Sequence, residues 1–382
     1  MKIAFIGQKG IPAKFGGVER HVEELAKRLA AQGHEVFVYT RNNYTDRKLK
    51  HYEGVKLIHL PSIPTKHLDA ISHTFLSAIH AIFSDYDVIH FHSIGPSSLA
   101  FLIRIFKPRT KLVATYHCQD YFHQKWGFLA RLYLKFGEFM ICRVPHQTIT
   151  VSLGLTEYAK NKMGKETVFI PNGMSVSPAE ENDELRKFRL EPNGYILSVS
   201  RLIKHKGIHY LIEAFKNLED QGLTESKKLV LVGDGFFTDN YVSYLRRIAN
   251  GRKSILFIGN QSGETLRQLF THAYCFVQPS ESEGLSLALL EAMGYGKATL
   301  VSNIAENLEA VRKIGASFES GNVKSLEKNL AELLTNQEKV EKMGQALQEI
   351  ANRDYNWDRI AMQTESLYEN LTAKKIIVCE TQ

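Results

Sequence analysis

Short apolar runs and amphipathic segments alternate along the first 170 residues of the chain. Apolar runs typical of buried strands occur at 2–6, 35–39, 55–60, 87–92, 111–116, 147–151 and 167–170. After the first run, apolar residues recur at the spacing of one helical face: Val18, Val22, Leu25 and Leu29. A second helix is predicted at 73–83. This alternation favours an α/β unit with a parallel sheet.

The same alternation restarts after an interruption by Pro171-Asn-Gly173 and the charged run 180–184. Strands are predicted at 195–199, 228–232, 255–258, 273–278 and 298–302, with helices at 207–218, 240–249 and 287–293. This pattern indicates a second doubly wound unit. We therefore assign 1–180 to a first domain and 190–355 to a second. A helix at 356–372 is expected to pack back on the first domain, and 374–382 to be a frayed tail.

Length, charge and cysteine usage agree with two folded domains in a reducing compartment. The 382 residues exceed the ~250–300 at which one core usually stops growing. A net charge of +7 favours a polyanionic partner, either a diphosphate, an anionic membrane surface or nucleic acid. The four cysteines show no CxxC spacing, the start MKIAFIG lacks a signal-peptide core, and no apolar run spans 18 residues. We expect a cytoplasmic protein.

Two glutamates with seven residues between them lie at a predicted strand–loop–helix junction. Glu283 falls in the loop and Glu291 in the helix. Because a helix N-terminus offers free N–H groups and a positive dipole end, the backbone of Gly284, Leu285 and Ser286 is predicted to bind a phosphate. Glu283 would then lie near a sugar and Glu291 near a ribose. Without further context, the same spacing is more often a helix with an acid in its first turns.

A basic loop follows the first strand of the second unit, where an open α/β sheet places its ligands. The segment Ser200–Gly207 contains Arg201, whose planar guanidinium can grip a phosphate, and Lys206, which adds a point charge. Together they would stabilise a departing diphosphate. Taken alone, such a loop is more often a solvated turn.

With these two elements in this order, the chain resembles family 4 of the retaining GT-B glycosyltransferases over nearly its whole length. Four further segments match the family's order: Ile170–Gly173, Leu231–Gly235, Phe257–Asn260 and Gln278–Ser280. The resemblance implies an α/β fold of GT-B type, with two doubly wound Rossmann-like domains facing a central cleft. The first would be the acceptor-side domain and the second the donor-binding domain.

The resemblance also implies roles for individual residues. Arg201 and Lys206 would bind the diphosphate, Glu283 the donor sugar and Glu291 the ribose, and the loop at Gly259-Asn260 would lie against the base. The chain departs from the family pattern at three positions in and after the loop of Glu283. Ser286 and Ala288 stand where the family often has Gly and Pro, and Ala298 stands where Pro is common. These differences alter the fit of the loop more than its charge.

The loop after the first strand carries a glycine pair, Gly16 and Gly17, about ten residues after the strand. This spacing differs from GxGxxG and argues against a dinucleotide cofactor. Because paired glycines at the start of a helix let the backbone approach an anion, we expect them to meet the β-phosphate across the cleft. A flexible connection is the alternative. The sequence of residues 10–19, GIPAKFGGVE, resembles that of a bacterial subgroup that assembles surface polysaccharides and includes rhamnosyltransferases.

Three histidines and an Asp-Tyr-Asp segment raise the question of a metal. His117 matches the family's histidine near the transferred sugar, and we assign it to donor positioning. His90 and His92 share one strand face, but the sequence shows no third ligand for a metal. Asp85-Tyr-Asp87 resembles the metal-binding DxD of the other large glycosyltransferase fold, yet it precedes a first-domain strand. We predict no metal requirement and no cofactor.

Together with the resemblance, these residues predict a metal-independent glycosyltransferase. It would move a hexose or deoxyhexose from a UDP-, dTDP- or GDP-sugar to a glycan or lipid-linked glycan in cell-surface polysaccharide synthesis. The family resemblance implies that transfer retains the anomeric configuration by front-face attack. A GT-B epimerase or phosphorylase, or a non-catalytic nucleotide-sugar-binding protein, remains an alternative. No nucleic-acid module is evident.

The acceptor is expected on the first domain. Basic and aromatic residues interleave along a stretch made of Phe122, Lys125, Trp126, Phe128, Arg131, Leu132, Lys135, Phe136, Phe139 and Arg143. Such a stretch suits peripheral binding to an anionic membrane surface. A core helix with a solvated basic face is the alternative.

Overall fold

A computed structural model describes residues 1–14, 16–122, 126–235 and 238–373. The chain forms two compact units: unit 1 contains residues 1–172 and the chain from 357 onward, and unit 2 contains residues 173–356. The predicted tail 374–382 and Lys125 of the basic stretch lie outside the described residues. In the part of the chain that the structure describes, no helix is both long and apolar enough to cross a bilayer.

Unit 1 is built on an eight-stranded sheet in the order β3-β4-β2-β1-β5-β6-β7-β8. All neighbouring strands are parallel except the short β3–β4 hairpin. Its strands are β1 (Lys2–Ile6), β2 (Glu35–Arg41), β3 (His51–Tyr52), β4 (Val55–Leu60), β5 (Val88–His92), β6 (Lys111–Tyr116), β7 (Gln147–Thr150) and β8 (Val168–Phe169). The strands β1, β5 and β6 are almost wholly buried, as their near-continuous apolar sequences require.

Among the described residues, the α-helices of unit 1 that come before unit 2 alternate with its strands. They are α1 (Gly17–Ala31), α2 (Asp69–Ile82), α3 (Ile94–Ser97), α4 (Ala100–Phe106), α5 (Phe128–Arg143) and α6 (Leu153–Met163). Helix α1 buries Val22, Leu25 and Leu29, the apolar face that the sequence predicts.

Unit 2 is a six-stranded, fully parallel sheet in the order β11-β10-β9-β12-β13-β14. Its strands are β9 (Tyr195–Val199), β10 (Lys228–Val232), β11 (Ile255–Phe257), β12 (Cys275–Gln278), β13 (Ala298–Ser302) and β14 (Ala316–Phe318). Its helices are α7 (Asp183–Arg186), α8 (Ile208–Asp220), α9 (Asp239–Ala249), α10 (Gly263–Thr271), α11 (Leu287–Gly294), α12 (Ala305–Val311), α13 (Val323–Leu334) and α14 (Gln337–Asp354).

The boundary after unit 1 lies earlier than residue 180, where the sequence analysis ended the first domain. Residues 173–180 belong to unit 2. The backbone N–H of Met174 donates to the carbonyl of Tyr355 at 2.6 Å, and the side chains of Met174 and Val176 pack directly against Gly294 of α11. These contacts join the segment to unit 2.

The last helix, α15 (Trp357–Ala373), belongs to unit 1 and is held there by polar contacts as well as packing. Arg28 Nε of α1 donates to Asp358 Oδ1 at 2.6 Å. In the core, the hydroxyl of Tyr368 lies 2.6 Å from His90 Nδ1, and His90 Nε2 lies 2.7 Å from Thr115 Oγ1. His90 therefore has both ring nitrogens occupied by structural hydrogen bonds.

Replacing Tyr368 by Phe should lower the free energy of unfolding of unit 1 by about 1–2 kcal/mol, because it leaves His90 Nδ1 buried without its partner. The melting temperature, followed by circular dichroism, should fall by roughly 2–8 °C. Tyr244→Phe is the matched control, since the Tyr244 hydroxyl has no hydrogen bond among the described residues. An unchanged melting temperature for Tyr368→Phe would contradict the role of this contact.

Candidate functional site

The centre of the unit 2 sheet is a topological switch point. The chain leaves β9 towards β10 on one side, whereas β12 pairs with β9 on the other. Open α/β sheets bind ligands beyond the carboxyl ends of the strands at such a point. The loop 200–207 follows β9 and the loop 279–286 follows β12, so the two loops that carry most of the predicted donor residues meet here.

These two loops are packed against each other through Gly207. Gly207 has a φ of 67°, and a Cβ atom placed on it would lie 1.9 Å from the carbonyl oxygen of Pro279. The backbone N–H of Glu281 donates to the carbonyl of His205 at 2.8 Å. Only glycine satisfies both the positive φ and the close approach, so the sequence Lys206-Gly207 fixes how near the two loops lie.

Lys206 and Glu283, predicted as separate ligands, form an ion pair across the two loops. The Lys206 Nζ and Glu283 Oε1 atoms are 2.5 Å apart, and the side chains are 14% and 8% exposed. The Ser280 hydroxyl donates to the same carboxylate oxygen at 2.6 Å. A buried charge pair is tolerated only when such additional hydrogen bonds satisfy it. The pair therefore holds an ammonium group in a fixed position at the sheet edge.

A chain of hydrogen-bonded polar side chains holds the loop 279–286 in place. Ser286 Oγ donates to Gln278 Oε1 at 2.6 Å, and Gln278 Nε2 donates to Asn307 Oδ1 at 2.8 Å. Asn307 Nδ2 then donates to Ser302 Oγ at 3.0 Å, and the Ser302 hydroxyl donates to the carbonyl of Ser280. A fully satisfied network of this kind makes the loop rigid.

Helix α11 begins immediately after Ser286, which is a member of this network. Ser286 is its N-cap, and its Oγ accepts a hydrogen bond from the N–H of Leu289 at 3.4 Å. Gly284 and Leu285, the predicted backbone ligands, are buried just before the cap. Glu291 lies on the second turn of α11 and is half-buried. Ser286 thus serves as a cap and network member, in addition to its predicted place in the phosphate loop.

The remaining predicted residues of unit 2 lie along the same edge. Arg201 is exposed on the loop that carries Lys206. Gly259 and Asn260 follow β11, two strands away from β9. Gly259 has a φ of 69°, and its carbonyl accepts from the N–H of Gly233 at 2.8 Å, which ties the loops after β10 and β11 together.

Sequence reasoning missed several side chains of this edge. Ser302 and Asn307 complete the network under the loop, but neither occurs in a recognisable motif, because their hydrogen bonds depend on tertiary contacts. Glu306 is a further acid near the ion pair. Burial, and secondarily the Glu283 carboxylate, raise the pKa of Glu306 above its ordinary value.

In unit 1, the glycine pair starts α1 as predicted. Gly16 is the N-cap, with a φ of 104°, and Gly17 is the first helical residue. The preceding loop is held to the helix because Glu19 Oε1 accepts from the N–H of Lys9 at 3.0 Å. This hydrogen bond connects the start of the loop to the first turn of α1.

His117 lies after β6 in a cluster of buried histidines at the carboxyl edge of the unit 1 sheet. His92, at the end of β5, has its Nδ1 atom 3.0 Å from His117 Nε2. The ring of His21, from α1, lies 4.8 Å from that of His117, and His21 Nδ1 lies 2.9 Å from Asn172 Oδ1. The sequence showed no third partner for His90 and His92. The structure instead groups His92 with His21 and His117, which β-strand spacing could not reveal.

Burial decides the charge of these histidines. It lowers the pKa of His21 to about 4, against a smaller opposing effect of Asn172. The pKa values of His92 and His117 lie well below the ordinary value, chiefly through burial and secondarily through neighbouring histidines. All three imidazoles are therefore neutral at pH 7.

The segment that follows His117 is held by a buried carboxylate on α5. Glu138 Oε1 accepts a hydrogen bond from the hydroxyl of Tyr121 at 3.0 Å, and also one from Tyr116. Glu138 Oε2 accepts from Tyr158 at 3.4 Å. These bonds connect α5 and α6 to the loop that carries His117.

Comparison with known proteins identifies the class of enzyme. Residues 180–349 match the family profile of glycosyl transferases group 1, and residues 15–177 match that of glycosyltransferase family 4. The chain belongs to the GT-B glycosyltransferase superfamily. Together the two matches cover 333 of the 382 residues, and they include every strand of both sheets except β1.

Full-length relatives agree with this classification. An uncharacterised glycosyltransferase of Methanocaldococcus jannaschii is 26% identical over 97% of this chain and 98% of its own. Sucrose-phosphate synthase from Thermosynechococcus elongatus has a TM-score of 0.84 at 22% identity, covering 98% of this chain and 99% of its own. Anabaena HepE in complex with UDP-glucose has a TM-score of 0.78 at 21% identity, covering 96% of this chain and 99% of its own. The two solved structures share the GT-B fold with this glycosyltransferase.

Replacing Ser286 of the glycosyltransferase by Ala should lower its free energy of unfolding by about 1–3 kcal/mol, because the change removes the cap of α11 and leaves Gln278 Oε1 without its donor. Ser286→Thr keeps a hydroxyl and should behave nearly as the wild type. Urea denaturation of both variants measures the difference. Equal stability of the Ala and Thr variants would show that the network does not depend on this hydroxyl.

Proposed function

We propose that this glycosyltransferase moves a hexose or deoxyhexose from a nucleotide-diphosphate sugar to a glycan or lipid-linked glycan in the synthesis of a cell-surface polysaccharide. Transfer would retain the anomeric configuration and need no metal ion. The observation that carries the proposal is the Lys206–Glu283 pair at the switch point of unit 2, beside the N-terminus of α11.

The arrangement suits a departing diphosphate. An ammonium group has three N–H donors, and Glu283 occupies one of those of Lys206, so two remain for phosphate oxygens. Arg201, exposed on the same loop, adds a second cation, and the α11 N-terminus adds a partial positive charge. Fixed positive charge at the leaving group is the kind of electrostatic stabilisation that lowers a transfer barrier, here without a divalent ion.

The hydrogen bonds that Glu283 already accepts support front-face attack over a covalent intermediate on this residue. Its carboxylate already accepts hydrogen bonds from Lys206 and Ser280, and both interactions reduce its nucleophilicity. It can still accept a hydrogen bond from a sugar hydroxyl through its free lone pairs. We therefore assign Glu283 to sugar binding, with the departing phosphate taking the acceptor's proton.

The nucleotide would occupy the same edge of unit 2. Glu291 is proposed to accept from ribose hydroxyls, and the loop of Gly259 and Asn260 to lie against the base. UDP, dTDP and GDP all remain candidates, and the UDP-glucose complex of Anabaena HepE makes UDP the first to test. The roles that resemblance gives to Gly16, Gly17 and His117 stay predictions, as does the rhamnosyltransferase-like subgroup.

An exposed apolar face on unit 1 supports a lipid-linked acceptor. In α5, Phe128 is 80% and Leu129 77% exposed. Exposed apolar residues also occur on α4 and α2, and α4 packs against both α2 and α5. The large apolar residues of the face, all at least one-third exposed, are Phe75, Leu76, Ile79, Phe83, Ile105, Phe106, Phe128, Leu129, Leu132, Phe136 and Phe139. One face of α5 is buried, but these side chains are exposed, which favours the membrane-surface interpretation over the core-helix alternative.

The charge beside this face points to an anionic bilayer as its partner. Arg131, Lys135 and Arg143 interleave with the apolar residues of α5, and Arg104 and Lys107 lie at the end of α4. Apolar side chains that enter the headgroup region, next to basic groups that meet anionic lipid, are typical of interfacial helices. We propose that this face holds unit 1 against the membrane that carries the acceptor.

Lys206→Ala should reduce sugar transfer by about 10²–10³-fold, because it removes the fixed charge at the leaving group. The matched control is Lys204→Ala, which removes an exposed lysine from the same turn and should leave transfer nearly unchanged. Initial rates with UDP-, dTDP- and GDP-sugars, with product analysis, measure both variants.

Full activity of Lys206→Ala would contradict the diphosphate assignment. The products decide between the proposed function and its alternatives. A glycosylated acceptor supports transfer, and an epimerised nucleotide sugar supports an epimerase. A sugar phosphate released from a glycan when inorganic phosphate is supplied supports a phosphorylase. Binding of a nucleotide sugar with none of these products supports a non-catalytic binding protein.

The double variant Arg131→Ala/Lys135→Ala should weaken binding to vesicles of anionic phospholipid by about 30-fold, since each basic residue near the surface contributes ~1 kcal/mol. Phe128→Ser should weaken it as well, because an exposed apolar group can no longer enter the bilayer. Met362→Ser, at an exposed apolar position on α15, is the control. Sedimentation that is equal for anionic and neutral vesicles would exclude the proposed surface.

A further inference from the structure

Three buried histidines of unit 1 bring their ring nitrogens close together. One ring nitrogen from each of His21, His92 and His117 lies within 4.8 Å of the others. They come from α1, the end of β5 and the residue after β6, so the fold and not a local motif assembles them. We propose that these three histidines form a binding site for a zinc ion.

The spacing of the ligand atoms is close to that of a zinc site. Zinc binds imidazole nitrogen at about 2.0–2.1 Å in a tetrahedral arrangement, which places neighbouring nitrogens ~3.4 Å apart. His92 Nδ1 and His117 Nε2 are already 3.0 Å apart. A modest opening of that contact and a small approach of His21 bring all three nitrogens to bonding distance.

The hydrogen bonding leaves a lone pair of His21 available. His21 Nδ1–H donates to Asn172 Oδ1 at 2.9 Å, which places the lone pair on Nε2. His21 Nε2 is buried and has no hydrogen-bond partner among the described residues. An unsatisfied buried acceptor is unfavourable, and a metal ion would satisfy it.

His92 and His117 now share one proton between Nδ1 and Nε2. For both to bind a metal, that proton must leave the shared contact, and the other nitrogen of the donating ring takes it up. Each imidazole stays neutral, with one proton and one metal-bound nitrogen. Burial also lowers the pKa of all three rings, so protons do not compete with the metal at pH 7.

The surroundings resemble the outer shell of a metal site. A metal-binding histidine usually donates its other ring N–H to an oxygen atom, which fixes its orientation, and Asn172 does this for His21. His90 lies beside His92, with 4.3 Å between the ring centroids, but is not a ligand, because Tyr368 and Thr115 occupy both of its nitrogens. Three protein ligands leave a fourth position for water or a substrate hydroxyl.

Zinc at this site would inhibit the enzyme. Under the proposed function, which this consequence rests on, His117 positions the donor sugar, and a metal bound to its ring nitrogen would remove it from that role. The metal would therefore be a regulator of transfer and not a requirement for it.

Calorimetric titration of the purified chain with Zn²⁺, and the visible spectrum of a Co²⁺ titration, test the site without reference to activity. We expect one ion per chain and the intense visible bands of tetrahedral cobalt. His92→Ala should abolish both signals, and Asn172→Ala should weaken binding by about 10–100-fold. Absence of binding to the wild type, or a site that survives in His92→Ala, would overturn the proposal.

His73→Ala is the matched control. His73 is a buried histidine on α2 whose two ring nitrogens lack hydrogen-bond partners among the described residues, yet it lies outside the cluster, so its removal should leave zinc binding unchanged. His21→Gln is a second ligand variant in case His92→Ala does not fold. Glutamine keeps a polar side chain but has no imidazole nitrogen to bind zinc, so this variant should also lose the metal. Circular dichroism confirms that each variant is folded. Loss of binding in folded His73→Ala would assign the metal elsewhere.

An activity measurement then separates the zinc site from the proposed function. With zinc bound, transfer by the wild type should fall at least tenfold and recover on chelation. Reversible inhibition of this kind supports both the zinc site and the role of His117 in donor positioning. Bound zinc with undiminished transfer would leave the metal site in place and contradict the role of His117 in donor positioning.

Discussion

The close approach of Gly207 to Pro279 is the constraint on which the candidate site depends. It brings the loops after β9 and β12 into direct contact at the switch point of the unit 2 sheet. Any side chain at position 207 would force these loops apart. Because Lys206 immediately precedes this glycine and Glu283 follows Pro279 by four residues, the contact also determines that the two charges meet.

Bringing these charges together has a cost that the surrounding structure offsets. Removing an ammonium and a carboxylate from water is unfavourable, and their attraction compensates only if further hydrogen bonds are made. Ser280 provides one such bond, and the buried chain from Ser286 through Gln278 and Asn307 holds the loop in place. The result is a cation fixed beside a helix N-terminus before any ligand arrives, so little reorganisation is needed when negative charge develops on a leaving group.

Much of the architecture could be predicted from the sequence because it depends on local periodicity. The strands β1, β4, β6, β9, β10 and β13 have the predicted bounds, since each is a short apolar run between polar turns. The short β8 lies inside the predicted run 167–170. The domain boundary near Met174 was less predictable, because it depends on which unit the segment contacts. The same distinction holds for the sites. Lys206, Glu283 and Ser286 belong to motifs, whereas Asn307 and His21 acquire their partners only through tertiary folding.

The most direct test of the central claim, that the carboxyl edge of unit 2 binds a nucleotide diphosphate, is a thermal-shift screen with UDP, dTDP and GDP. The account predicts that at least one of them stabilises the protein, by roughly 2.7 kcal/mol when present at about 100 times its dissociation constant. Lys204→Ala should retain this shift and Lys206→Ala should lose most of it. No shift with any nucleoside diphosphate, or an equal shift in both variants, would contradict the account.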